Sequence, residues 1–229
     1  KQVARMMTAG FVHGVLNTDN MNVTGECFDY GPWRFLPTLD PGFTAAYFDR
    51  TGLYAFARQP ESIYWNLAAL ADALRPLSSG EKLKDALDAF PSLYASAFAD
   101  AVADRLGVER PTGEAGELLA SDLFAFLHET QLPFERVFFD LFGGAAGREK
   151  RERSPHEDRY KDASVVETVN ALAPLRPGRL DHSVFSEEPP LLLIDDVEAV
   201  WEAIASDDDW SLFDAKIASI RAYGAALDL

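Results

Sequence analysis

The stretch His13-Gly14-Val15-Leu16-Asn17-Thr18-Asp19-Asn20, followed nine residues later by Asp29-Tyr30-Gly31, decides how this chain is read. It lies in a segment, His13 to Gly52, unlike anything after it: rich in Asn, Asp, Gly, Pro and aromatic residues. Turn signals crowd it at Asp29-Tyr30-Gly31-Pro32, Asp40-Pro41-Gly42 and Arg50-Thr51-Gly52. The pattern predicts loops and short strands, with β-prone pieces at Val23-Thr24 and Cys27-Phe28, held by Phe28, Trp33, Phe35, Phe43 and Tyr47. An ordered loop of this length inside a compact domain is usually functional.

Outward from that segment the chain turns helical. Residues 2–12 space Val3, Met6, Met7 and Phe11 as one helical face. Pro60 suits a first helical turn, and Ile63, Leu67, Leu70 and Leu74 form a stripe that stops before Pro76. A second helix opens near Ser79 through Leu83, Leu87 and Phe90. Pro91 kinks or restarts it, and Leu93, Tyr94, Phe98 and Val102 lead on to Gly107. Further helices are expected at 113–128, 131–142, 163–173, 196–206 and 210–226. Residues 144–162 read as a polar, mobile loop, and 174–190 as a connector. The expected class is α+β and predominantly α-helical.

The decisive stretch also suggests chemistry. Phosphoryl and nucleotidyl transfer need a carboxylate near the attacking hydroxyl and hard oxygen ligands for Mg²⁺ or Mn²⁺. Kinase-like folds supply them from a loop ending in Asn, then a β-hairpin, then an Asp-aromatic-Gly turn. His13 and Asn20 have the separation of the kinase His and Asn, and the piece between Asn20 and Asp29 has hairpin length. One position departs: where kinases keep the catalytic Asp, two residues after the His, stands Val15. Asp19 is the carboxylate left in the loop, and a base displaced by four residues fits altered chemistry better than an ordinary kinase. Taken singly, each piece has a plainer reading. Asp19-Asn20 is an ordinary turn or cap pair, Asp29-Tyr30-Gly31-Pro32 an ordinary turn, and His13 an ordinary structural histidine.

Composition narrows the partners. The 229 residues carry 21 Lys and Arg against 37 Asp and Glu, a net charge of -16. That argues against nucleic acid, which needs a basic footprint. Residues 1–60 balance five basic against five acidic side chains, so the whole excess lies beyond them. No apolar run approaches the roughly 20 residues of a membrane helix, and no signal peptide is evident, so no membrane partner is expected. Cys27 is the single cysteine, which excludes an internal disulfide and a thiolate zinc cluster and suits a reducing cytoplasm. The chain starts in helical rhythm at Lys1 and reads as a segment of something longer.

The runs Gly10-Phe11-Val12-His13-Gly14-Val15-Leu16-Asn17-Thr18-Asp19-Asn20-Met21, Asp29-Tyr30-Gly31-Pro32, Asp40-Pro41-Gly42-Phe43, Gln59-Pro60 and Trp65-Asn66-Leu67 strongly resemble the selenoprotein O family. The resemblance is dense over residues 1–75 and fades to general helical character from about residue 80. It implies the C-terminal lobe of a protein-kinase-like fold, with a short β-hairpin carrying the catalytic and metal-binding loops. Residues 1–75 would then form the catalytic-loop segment and 76–229 the helical remainder of the same domain, with the N-lobe outside this chain. It further implies a protein adenylyltransferase, moving AMP from ATP to Ser, Thr or Tyr hydroxyls with release of pyrophosphate. Position by position, Asp19 becomes the proton acceptor, Asn20 a metal ligand, and Asp29 a ligand of both metal and ATP. The family's Gly-rich loop, phosphate-binding Lys and triphosphate-gripping Arg residues lie upstream of position 1. Many members have Gly-Arg-Tyr where this chain has Gly52-Leu53-Tyr54. The C-terminal redox motif of eukaryotic members has no counterpart in the closing Ala-Leu-Asp-Leu.

Three alternatives stand beside that reading: a small-molecule-kinase type of phosphotransferase, UMP transfer in place of AMP, and a non-catalytic helical interaction module. Val15 argues against the first, and retention of Asp19, Asn20 and Asp29 against the last. The remaining features have structural readings. His128, His156 and His182 lack ligand spacing, and Arg148, Lys150, Arg151 and Arg153 read as a solvated loop. Asp207-Asp208-Asp209 and Asp195-Asp196 read as helix starts, and Cys27 as a small packed side chain.

Overall fold

A computed structural model of the chain describes residues 1–175, 180–186 and 188–227. The described residues are mostly helical with one two-stranded antiparallel sheet, the expected α+β composition. They divide into two compact units. None of the described helices is long and apolar enough to cross a membrane.

The first unit comprises residues 1–36, 40–102 and 112–120. Its α1 (Gln2–Thr8) buries Val3, Ala4, Met6 and Met7. Gly10 then takes a φ of 64°, a conformation that glycine adopts without steric cost, and turns the chain into β1 (Phe11–Val12). Phe11, expected on the helical face, is therefore a strand residue paired with Phe35 of β2 (Arg34–Phe35). This ladder, extended by the bond from the Leu36 N–H to the Gly10 carbonyl at 2.8 Å, closes the base of the whole 13–33 segment. The strands expected at Val23-Thr24 and Cys27-Phe28 reduce to a single Met21–Cys27 bridge. Three residues, Val23, Thr24 and Gly25, join Asn22 to Glu26 in a tight turn, closed by the Asn22 N–H on the Glu26 carbonyl at 2.8 Å.

The aromatic residues divide. Phe11, Trp33 and Phe35 meet edge to face at 5.3 and 5.9 Å. Phe28 and Tyr47, expected to help hold the segment, are 78% and 92% exposed. Its apolar anchors are instead Leu16, Leu36, Ala45, Ala46 and Phe56, all buried.

Next come α2 (Gln59–Ala73), α3 (Gly80–Asp88), α4 (Phe90–Leu106) and α5 (Glu114–Thr130). The Ser79 side chain caps α3 by accepting the Lys82 N–H. Pro91 restarts the chain as a new helix, in a first turn where its missing N–H costs nothing. The stripe expected on α2 is not sealed in a core: Ile63, Leu67 and Leu70 line a cleft of about 630 Å³ with Phe90, Leu93 and Tyr94.

The second unit comprises residues 37–39, 103–111 and the chain from Ser121 onward. Beyond α4 and α5 it contains α6 (Phe134–Leu141), α7 (Arg148–Glu152), α8 (Glu157–Tyr160), α9 (Ser164–Ala171), α10 (Ile194–Asp207) and α11 (Ser211–Leu227). After α4, Gly107 has a φ of 62°, and a Cβ there would lie 2.4 Å from the Phe142 ring. Phe134, Val137, Phe138, Phe139 and Leu141 make α6 almost wholly buried. Asp196 accepts the Leu193 N–H at the start of α10, and Asp209 the Ser211 N–H before α11, the starting roles expected for those acids. Asp208 differs, ending α10 at a φ of 52° and accepting the Trp210 Nε1–H. Within the expected connector, Val184 and Phe185 are buried. Residues 176–179 and 187 of that connector, and the last two of the chain, lie outside the described residues.

The expected mobile loop at 144–162 is a correction. It holds α7 and α8, and Lys150, Arg151, Ser154 and Tyr160 are buried. The cause is Asp140, a fully buried carboxylate on α6 that requires donors. It accepts from Arg136 Nε at 3.0 Å, from the Tyr160 hydroxyl at 2.9 Å and from the Ser154 hydroxyl. Lys150 donates to the Phe139 carbonyl and sits 4.5 Å from the centroid of the Phe139 ring. Of the basic island expected to be solvated, only Arg148 and Arg153 are exposed.

Burial pushes the Lys150 ammonium down to about 7 from an ordinary 10.5, against the attraction of Asp140 and with Arg136, Arg151 and Arg153 reinforcing the shift. Between those values the unfolded chain binds a proton that the folded chain does not, so stability rises with pH across that window. The slope approaches roughly 1.4 kcal/mol per pH unit. Urea denaturation followed by circular dichroism from neutral pH to about pH 10 should show this rise, and Lys150→Met should flatten it.

Candidate functional site

The loop from His13 to Asn20 is held from behind by α2. Gln59, fully buried in the first turn of α2, accepts the His13 N–H at 3.0 Å and donates to the Phe11 carbonyl at 2.9 Å. A side-chain amide thus stands in for a strand partner at the point where β1 ends. Two turns along α2, Asn66 donates to the Leu16 carbonyl at 3.2 Å. Two amides on one helix face therefore grip the loop at both ends of its first half. Neither role follows from local spacing, because Gln59 reads as an ordinary first-turn residue and Asn66 as a polar position within a helix. Both positions appeared only in the runs that carry the family resemblance.

His13 is fully buried and its Nδ1 accepts the Val15 N–H at 3.4 Å. Burial lowers its pKa, opposed by a hydrogen bond to the backbone of Asp29 and by that residue's charge. The imidazole is neutral near pH 7, fitting a packing and orienting residue. It sits against the Asp29-Tyr30-Gly31 turn, where a Cβ on Gly31 would lie 3.0 Å from the His13 carbonyl.

The three expected oxygen-bearing residues lie on the loop's outer side. Asn20 Nδ2 donates to the Val15 carbonyl at 2.8 Å, which leaves Oδ1 of the amide. The Asn20 carbonyl accepts the Phe28 N–H at 2.8 Å, so the Met21–Cys27 excursion returns the chain beside Asn20 and delivers Asp29 there. Asp29 is exposed, and its Oδ1 accepts the Gly31 N–H at 2.8 Å, an Asx turn that leaves Oδ2. Asp19 is exposed beside Asn20.

Asp19 also acts on Tyr54, whose hydroxyl burial pushes up, with the charges of Asp49 and Asp19 adding to the shift. Asp49 ties that neighbouring loop. Burial would raise its pKa, yet the Tyr54 and Leu53 N–H groups at 2.8 and 2.9 Å and the Thr51 hydroxyl hold it low. The 49–54 turn was a plain turn signal in the sequence, and its electrostatic link to Asp19 is a tertiary result.

An Asn carbonyl and a carboxylate are hard oxygen donors, the set that holds Mg²⁺ together with substrate phosphates and water. Among the described residues no group of three or more His, Cys, Asp or Glu side chains could hold a metal by itself. Asn20 and Asp29 are two donors of that type, and an ion held by them would take its remaining oxygens from a phosphate-bearing substrate and water. Cys27, partly buried, donates weakly to the Met21 sulfur at 3.6 Å, as expected of a packed thiol.

Removing the Gln59 amide strands a buried donor, the His13 N–H, and a half-buried acceptor, the Phe11 carbonyl. Gln59→Leu should destabilise the protein by about 2–4 kcal/mol, read from denaturation midpoints, whereas Gln59→Glu at low pH, which restores both partners, should recover part of the loss.

Comparison with known proteins identifies the family. The family model described as Protein adenylyltransferase SelO matches residues 1–221. Proteins named Protein nucleotidyltransferase YdiU are similar to the chain. That of Trichodesmium erythraeum is 33% identical over 228 residues, covering 93% of this chain and 47% of the relative. That of Synechocystis is 33% identical over 247 residues, covering 96% and 50%. That of Hahella chejuensis is 51% identical over 106 residues, covering 46% and 22%. The chain spans about half the length of the first two relatives. A family match over residues 1–221, with the loop and turn geometry above, means that the chain belongs to the SelO family.

Proposed function

We propose that the chain supplies the catalytic and metal-binding loops of a protein adenylyltransferase, which transfers AMP from ATP to Ser, Thr or Tyr hydroxyls of proteins. The observation that carries this reading is the bond from the Phe28 N–H to the Asn20 carbonyl. It returns the chain just before Asp29 to Asn20, on a loop braced by α2, which supports a shared role for these residues. In this reading residues 1–75 carry the loops of the C-terminal lobe of a protein-kinase-like fold, and residues 76–229 are its helical remainder.

Asp19 accepts the proton of the attacking hydroxyl as its oxygen bonds to the α-phosphorus and the bond to pyrophosphate breaks. Asn20 Oδ1 and Asp29 would hold Mg²⁺ or Mn²⁺, and Asp29 would also contact the ATP. The ion, when bound, offsets the negative charge of the phosphates. His13 transfers no proton in this scheme. Neutral and enclosed, it keeps the Asp29 turn in place. The family description names adenylyl transfer, whereas the relatives' name leaves the nucleotide open, so UMP transfer is tested alongside.

The test uses the full-length protein with α-labelled ATP, γ-labelled ATP or α-labelled UTP, with Mg²⁺ or Mn²⁺, counting label on protein. Label is expected from the α position of ATP alone. Label from the γ position would make the protein a phosphotransferase and remove the role of Asp19. Asp19→Ala should lower transfer by at least about 100-fold with nucleotide affinity nearly unchanged, whereas Asp29→Ala should weaken metal-dependent nucleotide binding. Near-normal transfer by Asp19→Ala would overturn its assignment.

A further inference from the structure

The α10–α11 pair packs unlike the rest of the second unit. Tyr223 and Ala226 anchor the end of α11 in a cluster with Phe139, Phe142, Val184 and Phe185. No residue of α10 is buried. Three aromatic side chains stand out: Trp201 is 65% exposed, Trp210 50% and Phe213 40%. Trp210 and Phe213 meet edge to face at 5.7 Å. Exposed large aromatics along α10, its exit and the start of α11 are a mark of an interaction surface.

Charge indicates what covers this surface. Residues 191–214 contain eight Asp and Glu and no Lys or Arg. Asp196, Asp208 and Asp209 serve the local structure described above, and Asp196 also pairs with Lys216 at 3.1 Å. Asp195, Glu198, Glu202, Asp207 and Asp214 are exposed and form no ion pair among the described residues. On α10, Asp195, Glu198, Trp201 and Glu202 recur at three- and four-residue spacing, so the indole lies among carboxylates on one exposed face. A cation over that ring gains the π face and the flanking carboxylates together.

We infer that this face docks a basic, amphipathic polypeptide segment of a partner protein, its Lys or Arg over Trp201 and its apolar side chains on Trp210 and Phe213. The same charges disfavour other occupants. An anionic bilayer or a nucleic acid is repelled, and so is a second copy of a chain with net charge -16. The surface lies apart in sequence from Asp19, Asn20 and Asp29, and the inference does not rest on their proposed roles.

The test titrates the full-length protein, by calorimetry at low and high NaCl, with two synthetic peptides of equal charge. One is a helical Lys–Leu amphipath and the other a Lys–Ser control. The amphipath should bind at least about tenfold more tightly than the control and weaken as salt rises. Trp201→Ala should cost about tenfold, and Glu198→Gln with Glu202→Gln should reduce the salt dependence, with circular dichroism unchanged in each variant. Equal affinity for the two peptides, or affinity unaffected by Trp201→Ala, would overturn the inference. So would sedimentation showing that the face is occupied by a second copy.

Discussion

One side-chain amide sets the geometry on which the candidate site depends. Where β1 ends, the Phe11 carbonyl and the His13 N–H are not taken up by the ladder with β2, and away from water they require partners. Gln59 supplies a donor and an acceptor from a single planar group at 2.9 and 3.0 Å. The start of the loop and the start of α2 therefore share one frame. With Asn66 holding Leu16, the loop has little freedom behind it, and Asp19 and Asn20 project from a braced backbone. Preorganisation of this kind lets oxygen-bearing side chains hold their positions without a buried charge network of their own.

The second unit solves the opposite problem. There a carboxylate is buried, and the chain around it is ordered to satisfy it. Asp140 draws Arg136 from its own helix, and Ser154 and Tyr160 from a stretch whose composition suits solvent. Lys150 is carried inside with them and lies against Phe139 and Phe185. Such clusters add little net stability compared with an apolar core, but removing one member leaves a buried charge unmatched, which favours a single arrangement. The charges left outside gather toward the C-terminal helices, where they surround exposed indoles.

Much of this was legible beforehand. Gly and Pro marked the helix ends, because their effect on the backbone is local: Pro60 and Pro91 opened helices, Ser79 capped one, and Asp196 and Asp209 started others. The turn at Asp29-Tyr30-Gly31 was equally plain, since an Asx turn is closed by its own side chain. Errors arose where local and tertiary preferences compete. Phe11 continued a helical spacing but lay beyond a left-handed glycine. Phe28 and Tyr47 looked like anchors and proved exposed. Lys150 and Arg151 looked solvated and proved buried, because Asp140, ten and eleven residues earlier in the chain, was not identifiable as a buried acid.

The sequence by itself determined the helical class and the order of loop and turn, and it singled out Asp19, Asn20 and Asp29 for the roles proposed above. Those depend on residue type and short spacing. Only the tertiary structure decided that Gln59 and Asn66 brace the loop, that His13 is an enclosed neutral group, and that Asp140 orders residues 144–162. Each of these is a hydrogen bond or a burial between distant positions, and its energy exists only once the chain has brought them together and excluded water.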